Sequence, residues 1–412
     1  MCIRDSWSAE IPTTEAGGPY TIEITSGTEQ HTLQNVLLGE VWICAGQSNM
    51  SMPVRGFESQ PIAGSLEAIV SSPCYPIRMY TADRTVSEHK EFNVKGRWME
   101  AGVATTGAFS AVGFFFARTL CQALNVPVGM INLSWGGSTA QAWSSQELLM
   151  QFPEIDTTMN MQSKSPQRIP SALHNAMFHP VTGYGVRGVI WYQGESDAEI
   201  IDNAQNSMLL KTMISSWRKA FRNPEMPFVM IQLPRINDPS KIRAGWPEFR
   251  EMQDAVAKTV PKVYSVNTID LGSTNSDVHP PFKRPVGERA GNTALNKVYG
   301  KKIPCEGPAL KAFKPSGSNI LVQLDQAAGL TTTDGKEPAQ FEIAGTDGTY
   351  HPAAAEIINR KGNTAVIRLS SPEVKSPKHA RYCWNRFVTP NLVNGNQLPA
   401  RPFRTDEPVL KK

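Results

Sequence analysis

Four short segments hold the residues best suited to covalent chemistry. Gly46-Gln47-Ser48-Asn49-Met50 follows directly on the apolar run Val36–Cys44. A serine at the tip of a buried strand faces the ligand crevice, and Gly46 permits the tight turn that presents it. Serine is a poor nucleophile until a base takes its proton, so Ser48 needs a histidine. Of the seven histidines, His279 in Asp277-Val278-His279-Pro280 has the best setting, after the last apolar strand and the polar loop Gly272-Ser273-Thr274-Asn275-Ser276. The chain order Ser…Asp…His matches one known triad order, and Asp277 could hold the imidazole tautomer. For these two residues alone, an ordinary loop Asp–His pair is the plainer alternative.

The other two segments offer hydrogen-bond donors. Ser134-Trp135-Gly136-Gly137-Ser138 and Gln193-Gly194-Glu195-Ser196-Asp197 each follow an apolar run. Glycines in such turns expose backbone N–H groups, and Gln193 adds an amide. With the Ser48 N–H they could cradle the oxyanion of a tetrahedral intermediate, each donor being worth roughly 3–4 kcal/mol of barrier. Either loop alone reads as a plain strand-to-helix turn; together they are harder to dismiss. His174 and His179, five apart on a short helical stretch, fall on different faces and read as packing or groove residues. His31, His89, His351 and His379 lie in turn or strand text and are expected to face solvent.

Positioning these loops requires alternating strands and helices. Apolar runs at Val36–Cys44, Ile77–Thr81, Val128–Ser134, Gly188–Tyr192, Phe228–Leu233 and Val263–Ile269 read as strands buried on both faces. Helical patterns fall between them at Phe109–Leu124, Ala142–Phe152, Asn203–Phe221, Phe249–Val260 and Val286–Tyr299. The alternation predicts an α/β domain over 36–300 with a mostly parallel sheet covered on both sides. Residues 303–406 carry short strands and turns such as Asp334-Gly335 and Asp347-Gly348, which predicts a β-sandwich-like C-terminal domain. Residues 7–35 read as β structure, the remnant of an N-terminal β domain. Met1-Cys2-Ile3-Arg4-Asp5-Ser6 fits neither a signal peptide nor a helix start and reads as a non-native leader.

Composition narrows the function classes. The 412 residues are 40% hydrophobic and 19% charged, a globular profile, and Lys+Arg 41 against Asp+Glu 37 gives a net charge of only +4. No clustered basic stripe suggests nucleic acid. No run reaches 18 apolar residues, which speaks against a membrane span. The six cysteines are scattered without C-x-x-C spacing, so a zinc site is not indicated; one or two disulfides remain open.

Taken together, these blocks resemble the sialate O-acetylesterase family within the SGNH (GDSL-like) hydrolases. The resemblance rests on Gly39–Met50, on Asn132–Ser138, on Gly188–Asp197, and on Asp277-Val278-His279-Pro280 with Lys283, Gly287 and Arg289. It extends to Arg381-Tyr382-Cys383-Trp384 and Pro402–Asp406 near the C-terminus. It implies a three-layer α/β/α fold, Ser48 as nucleophile, His279 as base, an oxyanion hole of Ser48, Gly137 and Gln193, and no metal or organic cofactor. The wider superfamily places its acid three residues before the histidine, where this chain has Ser276. Asp277 is the candidate acid and Asp270 a weaker one, and a Ser–His dyad with a backbone carbonyl is the alternative. The implied partner is an O-acetylated sugar or glycan, sialic acid first and acetylxylan second, in a secreted or periplasmic setting. A sialate carboxylate would want an arginine, for which Arg55, Arg235 and Arg284 are available, and Trp143 or Trp246 could stack on a sugar. A non-catalytic glycan-binding protein on the same fold is the rival from another class.

Overall fold

Val36–Cys44 is one apolar run in sequence but two strands in space. Val36–Leu38 closes a hairpin of β1 (Gly17–Ser26) and β2 (Glu29–Leu38), and the chain breaks at Gly39 before β3 (Glu40–Gly46). A Cβ on Gly39 would lie 2.1 Å from the Pro127 carbonyl oxygen, so the break requires a residue without one. The computed structural model describes residues 11–199, 202–240 and 243–406; the leader 1–6 lies outside them.

β3 is the middle of a seven-stranded sheet with β4 (Ile77–Thr81), β5 (Trp98–Glu100), β6 (Val128–Ser134), β7 (Gly188–Tyr192), β8 (Phe228–Ile231) and β9 (Val263–Val266). The order is β5-β4-β6-β3-β7-β8-β9, parallel throughout except for β4–β5. The chain builds one side of β3 and then crosses to build the other. The carboxyl ends of β6, β3 and β7 therefore form a topological switch point, where such sheets bind ligands. Register makes this concrete: Gly46 pairs with Ser134 on one side and Tyr192 on the other. The three candidate loops leave the sheet at one level.

Period-two alternation along β3 sends Trp42 and Cys44 into one core and Ile43 and Ala45 into another. Helices in chain order are α1 (Ser48–Ser51), α2 (Ser65–Ser71), α3 (Ala111–Leu124), α4 (Gln146–Leu149), α5 (Asn203–Ala220), α6 (Trp246–Thr259) and α7 (Lys283–Lys297). α3 and α7 bury Phe114, Phe116, Val286 and Ala290 against one face. α5 and α6 bury Met213, Trp217, Phe249 and Met252 against the other. The result is the three-layer α/β/α arrangement expected.

Beyond Lys297 the structure is antiparallel. One four-stranded sheet has the order β10 (Ala309–Ser316), β11 (Asn319–Asp325), β16 (Thr364–Ser370), β15 (Ala354–Lys361). The other runs β14 (Tyr350–Pro352), β13 (Phe341–Ala344), β17 (His379–Tyr382), β19 (Phe403–Arg404), and β12 (Thr331–Thr332) pairs with β18 (Leu392–Val393). Both larger sheets share one core, including Val322, Ile343, Ile367 and Tyr382. Cys44, Cys74, Cys121, Cys305 and Cys383 are free thiols. No helix among the described residues is long and apolar enough to cross a membrane.

Candidate active site

Ser48 is the first residue of α1, on a turn that only glycine can enter. Gly46 has φ 137°, and a Cβ there would lie 2.1 Å from the Tyr192 carbonyl oxygen. Gly136 passes against the serine, its missing Cβ 3.3 Å from Ser48 Cβ. The Ser48 and Gly137 N–H groups have no backbone acceptor among the described residues. One belongs to the candidate nucleophile itself and the other to the loop that passes against it.

Both neighbours of Ser48 are buried amides: Gln47 grips the loop after β7, and Asn49 joins that loop to the one carrying His279. Gln47 Oε1 accepts from Gly194 N, Ser196 N and Gln193 Nε2, each at 3.3 Å. Gln193 Nε2 also donates to Asp197 Oδ2 at 2.9 Å and to the Ser138 carbonyl at 3.3 Å. The oxyanion-donor role expected of Gln193 is therefore not what this geometry offers. Its side chain is 1% exposed and its amide hydrogens are spent inside the protein, bracing the β6 and β7 loops together. Asp197 Oδ2 also accepts from Ala140 N at 2.9 Å, and burial pushes this carboxyl up to about 6.

On the other side, Asn49 Nδ2 donates to Glu195 Oε1 and, at 3.0 Å, to the Val278 carbonyl, while Asn49 Oδ1 accepts from Lys283 Nζ. The residue beside Ser48 thus holds the residue beside His279. Neither His279 ring nitrogen has a hydrogen-bond partner among the described residues; Nδ1 lies 3.7 Å from Asp277 Oδ1 and the ring packs edge-on to Phe57. Burial lowers the imidazole pKa, and the Lys283 charge lowers it further against the opposing pull of Asp277. Neutral imidazole is the form a general base needs. Asp277 Oδ1 accepts from His279 N at 2.8 Å and from Gln60 Nε2 at 3.3 Å, so it shapes the turn while standing near the ring. Asp270 is not available as the acid: Arg289 holds both its oxygens, at 2.7 and 2.6 Å. A cavity of about 350 Å³ opens beside His279, lined also by Gln60, Asp277 and Phe282. A larger one, about 830 Å³, lies away from the site at the seam with the C-terminal sheets.

Comparison with known proteins agrees with the geometry. Residues 38–295, more than half the chain, match the family described as carbohydrate esterase, sialic acid-specific acetylesterase. The chain belongs to this family. The mouse sialate O-acetylesterase is 30% identical, over 97% of this chain and 84% of its own length. The human sialate O-acetylesterase is 29% identical, over 97% and 82% respectively. A carbohydrate acetylesterase from Xanthomonas citri superposes with a TM-score of 0.85 at 30% identity, over 96% of this chain and 87% of that one. The protein is thus a carboxylic ester hydrolase of the carbohydrate esterases.

For this esterase, several expected roles fall elsewhere. Trp143 and Trp246 are fully buried, their indole N–H groups bonded to Ser138 Oγ and the Pro234 carbonyl, so neither can stack on a sugar. Arg235 is tied to the Gly272 and Val388 carbonyls, and Arg284 to Glu67 and Glu288. Arg168 also reaches the site. Its Nε donates to the Gly137 carbonyl at 3.1 Å and its Nη2 to Ser196 Oγ at 3.5 Å, and the residue is exposed with no carboxylate in ion-pair range among the described residues. It lies in loop sequence far from every strand-end motif, where no spacing marks it.

Proposed function

We propose that this esterase removes O-acetyl groups from sialic acids through an acyl-enzyme on Ser48. His279 Nε2 takes the Ser48 proton as Oγ bonds to the acetyl carbonyl carbon. The Ser48 and Gly137 N–H groups receive the oxyanion, and the intermediate collapses by breaking the bond to the sugar oxygen, which takes the proton from His279. Water, deprotonated by the same imidazole, then attacks the acetyl-serine; acetate leaves and Ser48 regains its proton. Asp277 supports the imidazolium electrostatically, its carboxylate being near the ring but outside hydrogen-bond length.

One observation carries the reading: Ser48 stands at the switch point with unspent N–H donors beside it and a neutral-leaning histidine anchored to its own neighbour. Support for sialate in particular comes from Arg168. An exposed guanidinium with no carboxylate in ion-pair range among the described residues, bonded to the backbone of Gly137, offers a sugar carboxylate a charge-assisted contact beside the reacting acetyl group.

The test compares acetate release from O-acetylated sialic acid and from acetylated xylo-oligosaccharide. Ser48→Ala should abolish both without unfolding the protein. Arg168→Met should raise KM for the sialate about tenfold or more, and leave the neutral substrate within about twofold. Turnover by Ser48→Ala contradicts the mechanism; equal effects of Arg168→Met on both substrates contradict the sialate preference.

A further inference from the structure

A buried polar cluster lies just behind the candidate nucleophile, and the mechanism above does not use it. Asn49 and Lys283 are 0% exposed and Glu195 3%. They come from α1, α7 and the loop after β7, and no two are neighbours in sequence. Burying an ammonium and a carboxylate is costly unless each is hydrogen-bonded. Here one amide serves both, with Nδ2 on the carboxylate and Oδ1 on the ammonium.

That arrangement fixes the amide. Turning it over would set Nδ2 against the Lys283 donors and Oδ1 against the Glu195 oxygens, two repulsive contacts in place of two attractive ones. With the orientation fixed, the second Nδ2 hydrogen can only point at the Val278 carbonyl, which it meets at 3.0 Å. Val278 precedes His279, whose ring has no hydrogen bond of its own among the described residues. The histidine is therefore positioned through its backbone.

We propose that Asn49 is the positioning residue of the catalytic histidine, and that buried Lys283 and Glu195 exist to hold its amide in the one orientation that grips the Val278 carbonyl. The proposal rests on the serine-esterase reading and adds the device that aligns base and nucleophile. Charges also act on His279 directly. The groups facing it are Asp277 on its own loop, Lys283 on α7 and Arg243 ahead of α6, with the Phe57 ring on the remaining side. Of these, Lys283 and Arg243 disfavour the imidazolium and Asp277 favours it.

The experiment uses the full chain and a chromogenic acetyl ester. The double variant Lys283→Met with Glu195→Gln removes both charges, nearly keeps the volume, and leaves the amide free to turn. It should unfold cooperatively like the parent, lose at least tenfold in kcat, and keep KM within about twofold. Its acid limb should move to higher pH, because a cation that opposed His279 protonation is gone. A purely structural role would lower the melting temperature and leave kcat of the folded enzyme in place; the acid limb follows the lost Lys283 charge in either case. Asn49→Ala adds no charge and carries the test if the double variant fails to fold. It should slow labelling of Ser48 by a serine-directed phosphonate at least tenfold. Either variant, folded and with kcat unchanged, overturns the proposal. If Ser48→Ala itself retains turnover, the underlying esterase mechanism has failed instead, and the two failures are separable.

Discussion

At the residue scale, burial does most of the tuning. His174 packs against Phe178 with ring centroids 5.1 Å apart, and burial pulls its imidazole from 6.5 down to about 4. Below the ordinary value the unfolded chain binds a proton that the folded chain refuses. The contribution of the neutral, buried ring is thus present above about pH 6.5 and lost as pH falls toward 4. The loss is on the order of 3 kcal/mol. Asp197, raised by its burial, works the other way over the same range, so the His174 share must be read as a difference. Denaturant titrations at pH 7 and pH 4.5 should show that His174→Leu loses less stability on acidification than the parent. Equal losses would show that His174 is not buried neutral.

At the element scale, the sheet and its helices were legible and their ends were not. Each apolar run from Ile77 onward became a strand, and those deepest in the sheet, β7 and β8, are buried on both faces and so apolar throughout. The run Val263–Ile269 stops early at Val266. Asn267 Nδ2 bonds the Pro399 and Ala400 carbonyls and Thr268 Oγ1 bonds the Gln232 carbonyl, so tertiary contacts redirect the chain. Instead of one helix over Ala142–Phe152 there is a single 3-10 turn and the short α4, since Ser145 Oγ caps Leu148 N and starts a new helix. β10 and β15 carry no strand pattern in the sequence, because they are exposed edges without an apolar face. The four candidate segments were visible as strand-end loops; the amides that join them were not, because Gln47 and Asn49 act across 146 and 229 residues. Nor does composition reveal how closely α7, which carries Lys283, approaches α3. A Cβ on Gly287 would lie 2.6 Å from Phe115 Cβ and 2.7 Å from the Val112 carbonyl oxygen. Gly287→Val should force the helices apart, costing about 1–3 kcal/mol or more, and lower kcat as Lys283 shifts. An unchanged melting temperature would place that crossing elsewhere.

At the scale of the whole molecule, the C-terminal sheets are fastened to the loops that carry the site. Arg235 bridges the Val388 carbonyl at 3.1 Å and the Gly272 carbonyl at 3.2 Å, and Asn237 Nδ2 holds the Thr274 carbonyl at 2.9 Å, on the approach to His279. Arg250, buried on α6, donates to the Asn385 carbonyl, while Arg401 pairs with Asp254 and Arg404 with Glu251. Arg250→Met should cost about 1.5–3 kcal/mol by removing a hydrogen bond from a charged group, read as a lower denaturation midpoint; no change would mean the seam does not depend on it. The central claim, that one serine at the switch point carries the acetyl group, is tested most directly by mass spectrometry of the enzyme quenched in acid during turnover. One acetyl group on the peptide containing Ser48, absent in Ser48→Ala, is the expected result. Acetate release with no acetyl on Ser48, or undiminished release by Ser48→Ala, would contradict it.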